Sequence, residues 1–169
     1  MIALIAAVAL NGVIGNRGHI PWKIEGEQER FRMLTTGRVV IMGRRTFEDI
    51  GKRLPNRMTL VLSHTKEFQD NNLRTFASLR NALDYAHHNA DLSDIFIAGG
   101  AQVYAEALPL CKKLYITEIN RTFDGDTYFP EFNTQKYKRS EETPVNGEIP
   151  YMYVTYTRKH LIRQTTGQC

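Results

Sequence analysis

Residues 94–108 read DIFIAGGAQVYAEAL, and the order of residue types in this stretch decides the fold. Residues 94–98 (DIFIA) form a short apolar run of the kind buried on both faces of a parallel sheet. Gly99-Gly100 ends the run, and helical spacing follows over 101–108. A strand that turns through glycines directly into a helix is the building unit of α/β folds with right-handed crossovers. The alternation continues outward in both directions. Strands are predicted at 2–8 (IALIAAV), 39–43 (VVIMG), 58–63 (MTLVLS) and 113–118 (KLYITE), and helices at 26–36, 44–51 and 77–87. Leu79, Leu83 and Ala86 mark the inner face of the third helix, with Ser78 as its N-cap. The end departs from the pattern: residues 151–160 (YMYVTYTRKH) alternate in period two, as an antiparallel strand with one wetter face does. The predicted fold is α/β. It is a single domain over 1–160 with a central, mostly parallel twisted sheet, an antiparallel C-terminal strand and about four flanking helices. Residues 161–169 (LIRQTTGQC) read as a polar, flexible tail.

A chain of 169 residues can bury a sizeable core, and 42% apolar with 24% charged residues is an ordinary globular composition. No apolar run reaches the roughly 18 residues needed to span a bilayer. The N-terminal MIALIAAVAL has no basic flank and meets Asn11-Gly12 at once, so it reads as a buried strand and not a signal peptide. Two cysteines, Cys111 and Cys169, exclude a disulfide framework, and no Cys/His spacing suits a metal. The adjacent His87-His88 would point in two directions on a helix. A reduced, cytoplasmic setting without a metal is the expectation. The net charge of +4 is spread along the chain, without dense basic runs or aromatics interleaved on one face. That pattern excludes a nucleic-acid binder and suits a small anionic ligand.

Five places could carry chemistry, and each has a plain structural reading beside the functional one. Glu25, Glu27 and Glu29 crowd a helix start, where the dipole favours acids. Yet Glu27 shares a face with Phe31 and Leu34, at i, i+4 and i+7, so a carboxylate is aimed where apolar side chains go. Gly99-Gly100 would let backbone amides approach a phosphate, or would serve a tight turn. Gly43-Arg44-Arg45-Thr46 sets two guanidinium groups and a hydroxyl at another helix start, with Ser63-His64-Thr65 ending the next strand. Such a set suits a phosphate monoester, and exposed arginines at a helix start are also common. Arg57, fixed by the Pro55-Asn56 turn at a strand edge, could clamp a carboxylate or be a solvated turn residue. Finally, 11–22 (NGVIGNRGHIPW) is a long Gly-punctuated connection, either a functional lid or a surface loop.

Together these segments resemble dihydrofolate reductase. The likeness runs in order through IAAVALNGVIG, IPW, VIMGRRTFEDIG, LPNR, a strand ending in LS, AGGAQVY, LYIT and GDTYFP. The resemblance implies that Glu27 sits in the pteridine pocket and serves reduction of 7,8-dihydrofolate by NADPH. A carboxylate in an apolar pocket has its pKa raised by desolvation, towards the range useful for proton transfer. It also implies that Thr117 supports that acid and that Trp22 belongs to the catalytic set, as part of the lid over the nicotinamide. Ile5, Ala7, Phe31 and Ile50 would line the pterin and aminobenzoyl site. Arg57 would clamp the glutamate tail, with Arg32 adding charge nearby. The cofactor would lie along Ala7, Ile14, Gly43, Thr46, Leu62 and a Gly99-Gly100 pair joined by a cis peptide, followed by Ala101, Gln102, Val103 and Tyr104. Arg44, Arg45, Ser63 and His64 would hold its 2′-phosphate. Asn16, Arg17, Gly18, His19 and Ile20 would form a mobile lid, steadied from outside the site by Asp126.

Some positions depart from the common bacterial pattern. The pocket acid is Glu27 where aspartate is usual, Gln28 replaces an apolar residue, and the GEQ triplet is similar to acquired, trimethoprim-insensitive reductases. Ala98 replaces a bulkier residue, and Ala101 a third glycine. The resemblance further implies a monomer, with dihydrofolate and NADPH as ligands and antifolates such as methotrexate or trimethoprim as inhibitors. Two rivals share parts of the pattern: a pyrimidine reductase of riboflavin synthesis, which needs no acid at 27, and a non-catalytic nucleotide-binding module, which needs no Glu27, Thr117 and Arg57 together.

Overall fold

The structure is a computed structural model and describes residues 1–89 and 94–160. Ten strands lie in chain order: β1 (Ile2–Ala9), β2 (Val13–Gly15), β3 (Val39–Gly43), β4 (Met58–Leu62) and β5 (Leu73–Phe76). These are followed by β6 (Ile95–Ile97), β7 (Lys113–Ile119), β8 (Thr127–Tyr128), β9 (Tyr137–Val145) and β10 (Tyr151–Arg158). The helices are α1 (Glu27–Thr35), α2 (Arg44–Ile50), α3 (Leu79–Asn89) and α4 (Ala101–Ala107). Eight strands share one sheet in the order β5-β4-β3-β6-β1-β7-β10-β9, while β2 and β8 form a small separate pair. The left part is parallel throughout, and β10 runs antiparallel to both β7 and β9.

The apolar runs of the sequence occupy the middle of this sheet because both of its faces are covered. Alternate residues of each strand serve opposite sides. Leu4, Ala6, Ile41, Leu60 and Ile97 pack with Leu79, Ala82, Leu83 and Ala86 of α3 and with Val103 and Ala107 of α4. Ala3, Ile5 and Phe96 face Phe31 and Leu34 of α1, while Val40, Met42 and Val61 face Phe47 of α2. The i, i+4, i+7 face of α1 is therefore the inner face, as the spacing predicts. Ser78 caps α3, its Oγ accepting from the Asn81 amide at 3.2 Å.

Four strands lie outside the sequence reading. β5 and the β2–β8 pair span four residues or fewer, too short for a periodic signal. β9 carries a charged run, YKRSEETPV, buried only at Tyr137. The C-terminal antiparallel part is thus two strands, with β9 as a solvated, charged edge. The tail expected at 161–169, with Cys169, lies outside the described residues. No helix among the described residues is long and apolar enough to cross a membrane.

Ala7, Gly43, Leu62 and Gly99 all fall at or just beyond the C-terminal ends of parallel strands. Open α/β sheets leave a crevice along that edge, and this one is no exception.

Candidate active site

A cleft of about 2230 Å³ runs along that edge, between α1 on one side and the starts of α2 and α4 on the other. Of the site residues named from the sequence, all but Asn16 line it. Asn16 sits at the base of the 16–20 loop instead, where its N–H donates to the His19 carbonyl at 2.8 Å and its carbonyl accepts from the His19 N–H at 3.0 Å. Asp126, expected outside the site, stands on the cleft rim.

At one end α1 presents Glu27. Its first turn has no side-chain cap, and Gly26 enters it at φ +90°. The neighbouring wall is β7, whose Thr117 is buried and pairs across the sheet with Ala7 of β1. Thr117 Oγ1 donates to Glu27 Oε1 at 2.7 Å. Burial pushes the Glu27 carboxyl above its ordinary value of 4.5, while the Thr117 hydrogen bond and the nearby Arg30 charge pull the other way. Desolvation prevails, so the carboxyl binds a proton more tightly than an exposed glutamate does.

Arg30 is the residue that the sequence reading missed. It is only partly exposed, its Nη1 donates to Thr117 Oγ1 at 3.0 Å, and its guanidinium lies 3.9 Å above the Tyr153 ring. Its position three residues after Glu27 was the available signal, because i and i+3 share a helix face.

Further along, Phe31 packs against both apolar clusters beside α1 and α2, with Ile50 in the second of them. Arg57 follows, buried at 6% exposure and held by hydrogen bonds from Nε to the Pro55 carbonyl at 2.9 Å and from Nη1 to Thr35 Oγ1 at 3.2 Å. Thr35 is itself pinned, donating to the Phe31 carbonyl at 2.6 Å. The guanidinium is thus aimed before any ligand arrives. Arg32 is exposed and paired with Glu29 at 2.7 Å, so it adds charge near Arg57 without lining up beside it.

At the other end the Gly99–Gly100 peptide is cis, and Gly99 takes φ +119°. A Cβ at Gly99 would stand 3.3 Å from Tyr104 Oη and 3.4 Å from Thr46 Oγ1. Only glycine suits both the angle and the space. The Gly99 carbonyl accepts from the Gly43 amide at 2.7 Å, tying the two strand–helix junctions together. Tyr104 braces them from within, its hydroxyl donating to the Ile5 carbonyl at 2.8 Å. Arg44 and Arg45 begin α2, and Ser63 Oγ accepts from the Lys66 amide at 3.0 Å at the end of β4. Here the charges are solvated: Arg45 and His64 are exposed.

The loop expected to be a lid lines the cleft through Arg17, Gly18, His19 and Ile20. Residues 16–19 form a tight hairpin with Arg17 and Gly18 at positive φ, and the Arg17 amide donates to Asp126 Oδ2 at 3.0 Å. Behind it, a Cβ on Gly125 would lie 2.6 Å from the Gly15 carbonyl oxygen and closer still to Val13 Cγ1. His19 Nδ1 meets Asp49 Oδ1 of α2 at 2.5 Å, and Trp22 packs on Phe123 at 5.1 Å between centroids.

A half-buried acid, a held arginine and basic side chains thus share one cleft. The dihydrofolate reductase family model matches residues 1–158. "Dihydrofolate reductase type A13" of Escherichia coli is 41% identical over 160 residues, covering 94% of this chain and 95% of that protein. "Dihydrofolate reductase type 3" of Salmonella typhimurium is 37% identical, covering 94% and 99%. Among solved structures, dihydrofolate reductase from Enterococcus faecalis, complexed with NADP(H) and RAB-propyl, superposes with a TM-score of 0.86. It is 34% identical, over 95% of this chain and 97% of that one. This chain belongs to the dihydrofolate reductase family.

Proposed function

We propose that this chain reduces 7,8-dihydrofolate to 5,6,7,8-tetrahydrofolate with NADPH, and that Glu27 governs the proton that the reduction requires. The observation that carries the proposal is the Thr117–Glu27 hydrogen bond at 2.7 Å in a cleft that raises the carboxyl pKa.

The residues present fit the cofactor. Gly43 and Gly99–Gly100 bring bare backbone to the cleft wall, and a Cβ at Gly100 would meet only Thr46 Oγ1 within 4 Å, at 3.6 Å. Arg44, Arg45, Ser63 and His64 offer the donors that a 2′-phosphate monoester takes, which favours NADPH over NADH. When bound, the reduced nicotinamide supplies a hydride to pterin C6. In its ionised form Glu27 accepts paired hydrogen bonds from the pterin 2-amino group and N3, fixing the ring, and its raised affinity for a proton lets the protonated form supply the proton that N5 requires. Phe31 and Ile50 hold the aminobenzoyl ring, and Arg57 takes the α-carboxylate of the tail. The hairpin 16–20 and Trp22 exclude water from the hydride path.

A cytoplasmic, monomeric enzyme belongs to the same proposal, as does weak binding of trimethoprim through the longer Glu27 and the polar Gln28. The decisive experiment follows loss of reduced-nicotinamide absorbance with dihydrofolate and NADPH, for wild type and Glu27→Gln. Turnover by the wild type and a deep loss in the variant are expected. Folded protein that binds NADPH without turnover would move the assignment to a pyrimidine reductase or a silent nucleotide-binding module.

A further inference from the structure

Helix α1 carries two charged groups on the face that meets the sheet. Arg30 has withdrawn from solvent into a slot between Thr117 and the Tyr153 ring, and it makes no direct ion pair among the described residues. Its link to Glu27 runs through one hydroxyl. Arg30 Nη1 donates to Thr117 Oγ1 at 3.0 Å, and Thr117 Oγ1 donates to Glu27 Oε1 at 2.7 Å.

A threonine hydroxyl has one proton to give. A guanidinium can only donate, so an oxygen that accepts from Arg30 points its proton elsewhere, and here that is Glu27. The chain Arg30→Thr117→Glu27 therefore has one direction. Oε1 is held as an acceptor, and Oε2 is left for the ligand or the proton.

Charge follows the same line. The titratable groups that face Glu27 are Arg30 of α1, Tyr104 of α4 and Tyr153 of β10, while Tyr115 of β7 and Tyr151 of β10 face Arg30. Burial holds Tyr104 and Tyr153 neutral across the working range, their pKa values pushed well up. Arg30 alone in that set is a permanent cation.

We propose that Arg30 is the resident counter-ion and positioning residue of Glu27, and that it makes the pocket favour a neutral pterin ring over a cationic 2,4-diaminopyrimidine ring. The inference rests on the dihydrofolate-reducing reading of the cleft. A neutral ring donates to the carboxylate without disturbing the Arg30 charge. A protonated diaminopyrimidine gains the carboxylate and meets a second cation one hydroxyl away, in a partly desolvated site where charges are poorly screened.

The test compares wild type with Arg30→Met, Arg30→Gln and Arg30→Lys, all as full chains. Binding of trimethoprim and of folate is titrated by Trp22 fluorescence with NADPH present, and the pH dependence of kcat is measured. Arg30→Met should bind trimethoprim about tenfold tighter relative to folate, and the alkaline limb of kcat should move to higher pH. Arg30→Gln keeps a donor for Thr117 without the charge and should follow Arg30→Met in both readouts. Arg30→Lys should stay near wild type. An unchanged affinity ratio with an unmoved limb in Arg30→Gln would overturn the proposal, as would an equal shift for Arg30→Lys and Arg30→Gln. The affinity ratio needs no turnover, so an inactive wild type would count against the reductase reading and leave the Arg30 question to be decided separately.

Discussion

The two ends of the cleft use charge in opposite ways. At the end proposed for the pterin, Glu27, Arg30 and Arg57 sit on a helix and a strand edge, partly or wholly withdrawn from water and held by Thr117 and Thr35. At the end proposed for the cofactor phosphate, Arg45 and His64 stand in solvent at helix and strand tips. A withdrawn charge interacts strongly and is costly to keep, so it carries chemistry and orientation. A solvated charge is cheap to keep and easily screened, so it serves selection between related ligands.

Glu27→Gln should break the contrast hardest. Turnover is expected to fall about 10²–10⁴-fold, the usual contribution of a positioned acid or base. Stability should move the other way. Below pH 4.5 the carboxyl is protonated in the folded and the unfolded chain alike, and it makes no difference. As pH rises from there towards the raised folded value, the unfolded chain releases its proton first, so wild-type stability declines and then levels off. The variant lacks this loss, so its melting temperature should exceed wild type at pH 8 and match it near pH 4. A lower melting temperature at pH 8 would mean that the carboxylate is stabilised, not strained, in its pocket.

Arg57→Lys comes next. A point charge replaces a fork already held by Pro55 and Thr35, and the KM for dihydrofolate should rise about tenfold or more while kcat changes little. A kcat that fell with KM unchanged would detach Arg57 from the tail. Gly125→Ala addresses the lid that both ends share. The added methyl would overlap Val13 and the Gly15 carbonyl, so chemical denaturation should register a loss of about 1–3 kcal/mol. Full stability would place the Asp126 loop away from β2. The smallest effect is expected for Arg45→Ala. Preference for NADPH over NADH should drop only about three- to tenfold, and the difference from wild type should fade as salt is added. A salt-independent loss would make the phosphate end as dry as the pterin end.

The two ends also differed in how well they could be read from sequence. The parallel sheet was legible because its strands are buried on both faces and stay apolar for their whole length, as in IALIAAV and VVIMG. β9 was not, because an edge strand owes its pairing to β10 and not to its own side chains, and KRSEETP reads as solvated chain. The placement of Glu27 in the cleft could be anticipated because a carboxylate on an apolar helix face is an anomaly. Arg30 escaped because an arginine beside two glutamates looks like ordinary helix surface. Its burial depends on Thr117 and Tyr153, which only the sheet brings near. Arg57 could be read as a candidate from its turn, but Thr35 as its anchor could not, since a threonine inside a helix carries no outward sign of its partner.

The order of strands across the sheet also sets when the site comes into being. β1 leaves the ribosome well before its neighbours β6 and β7. Glu27 waits for a hydroxyl 90 residues downstream, and the lid waits for a carboxylate 109 residues away. Until β7 pairs with β1, the carboxyl on α1 lacks its Thr117 partner. Contacts so distant along the chain make for slow closure of the fold. A nascent chain therefore lacks the Thr117–Glu27 contact until most of the chain has been made, and the cleft wall around Glu27 is completed from both ends of the sequence.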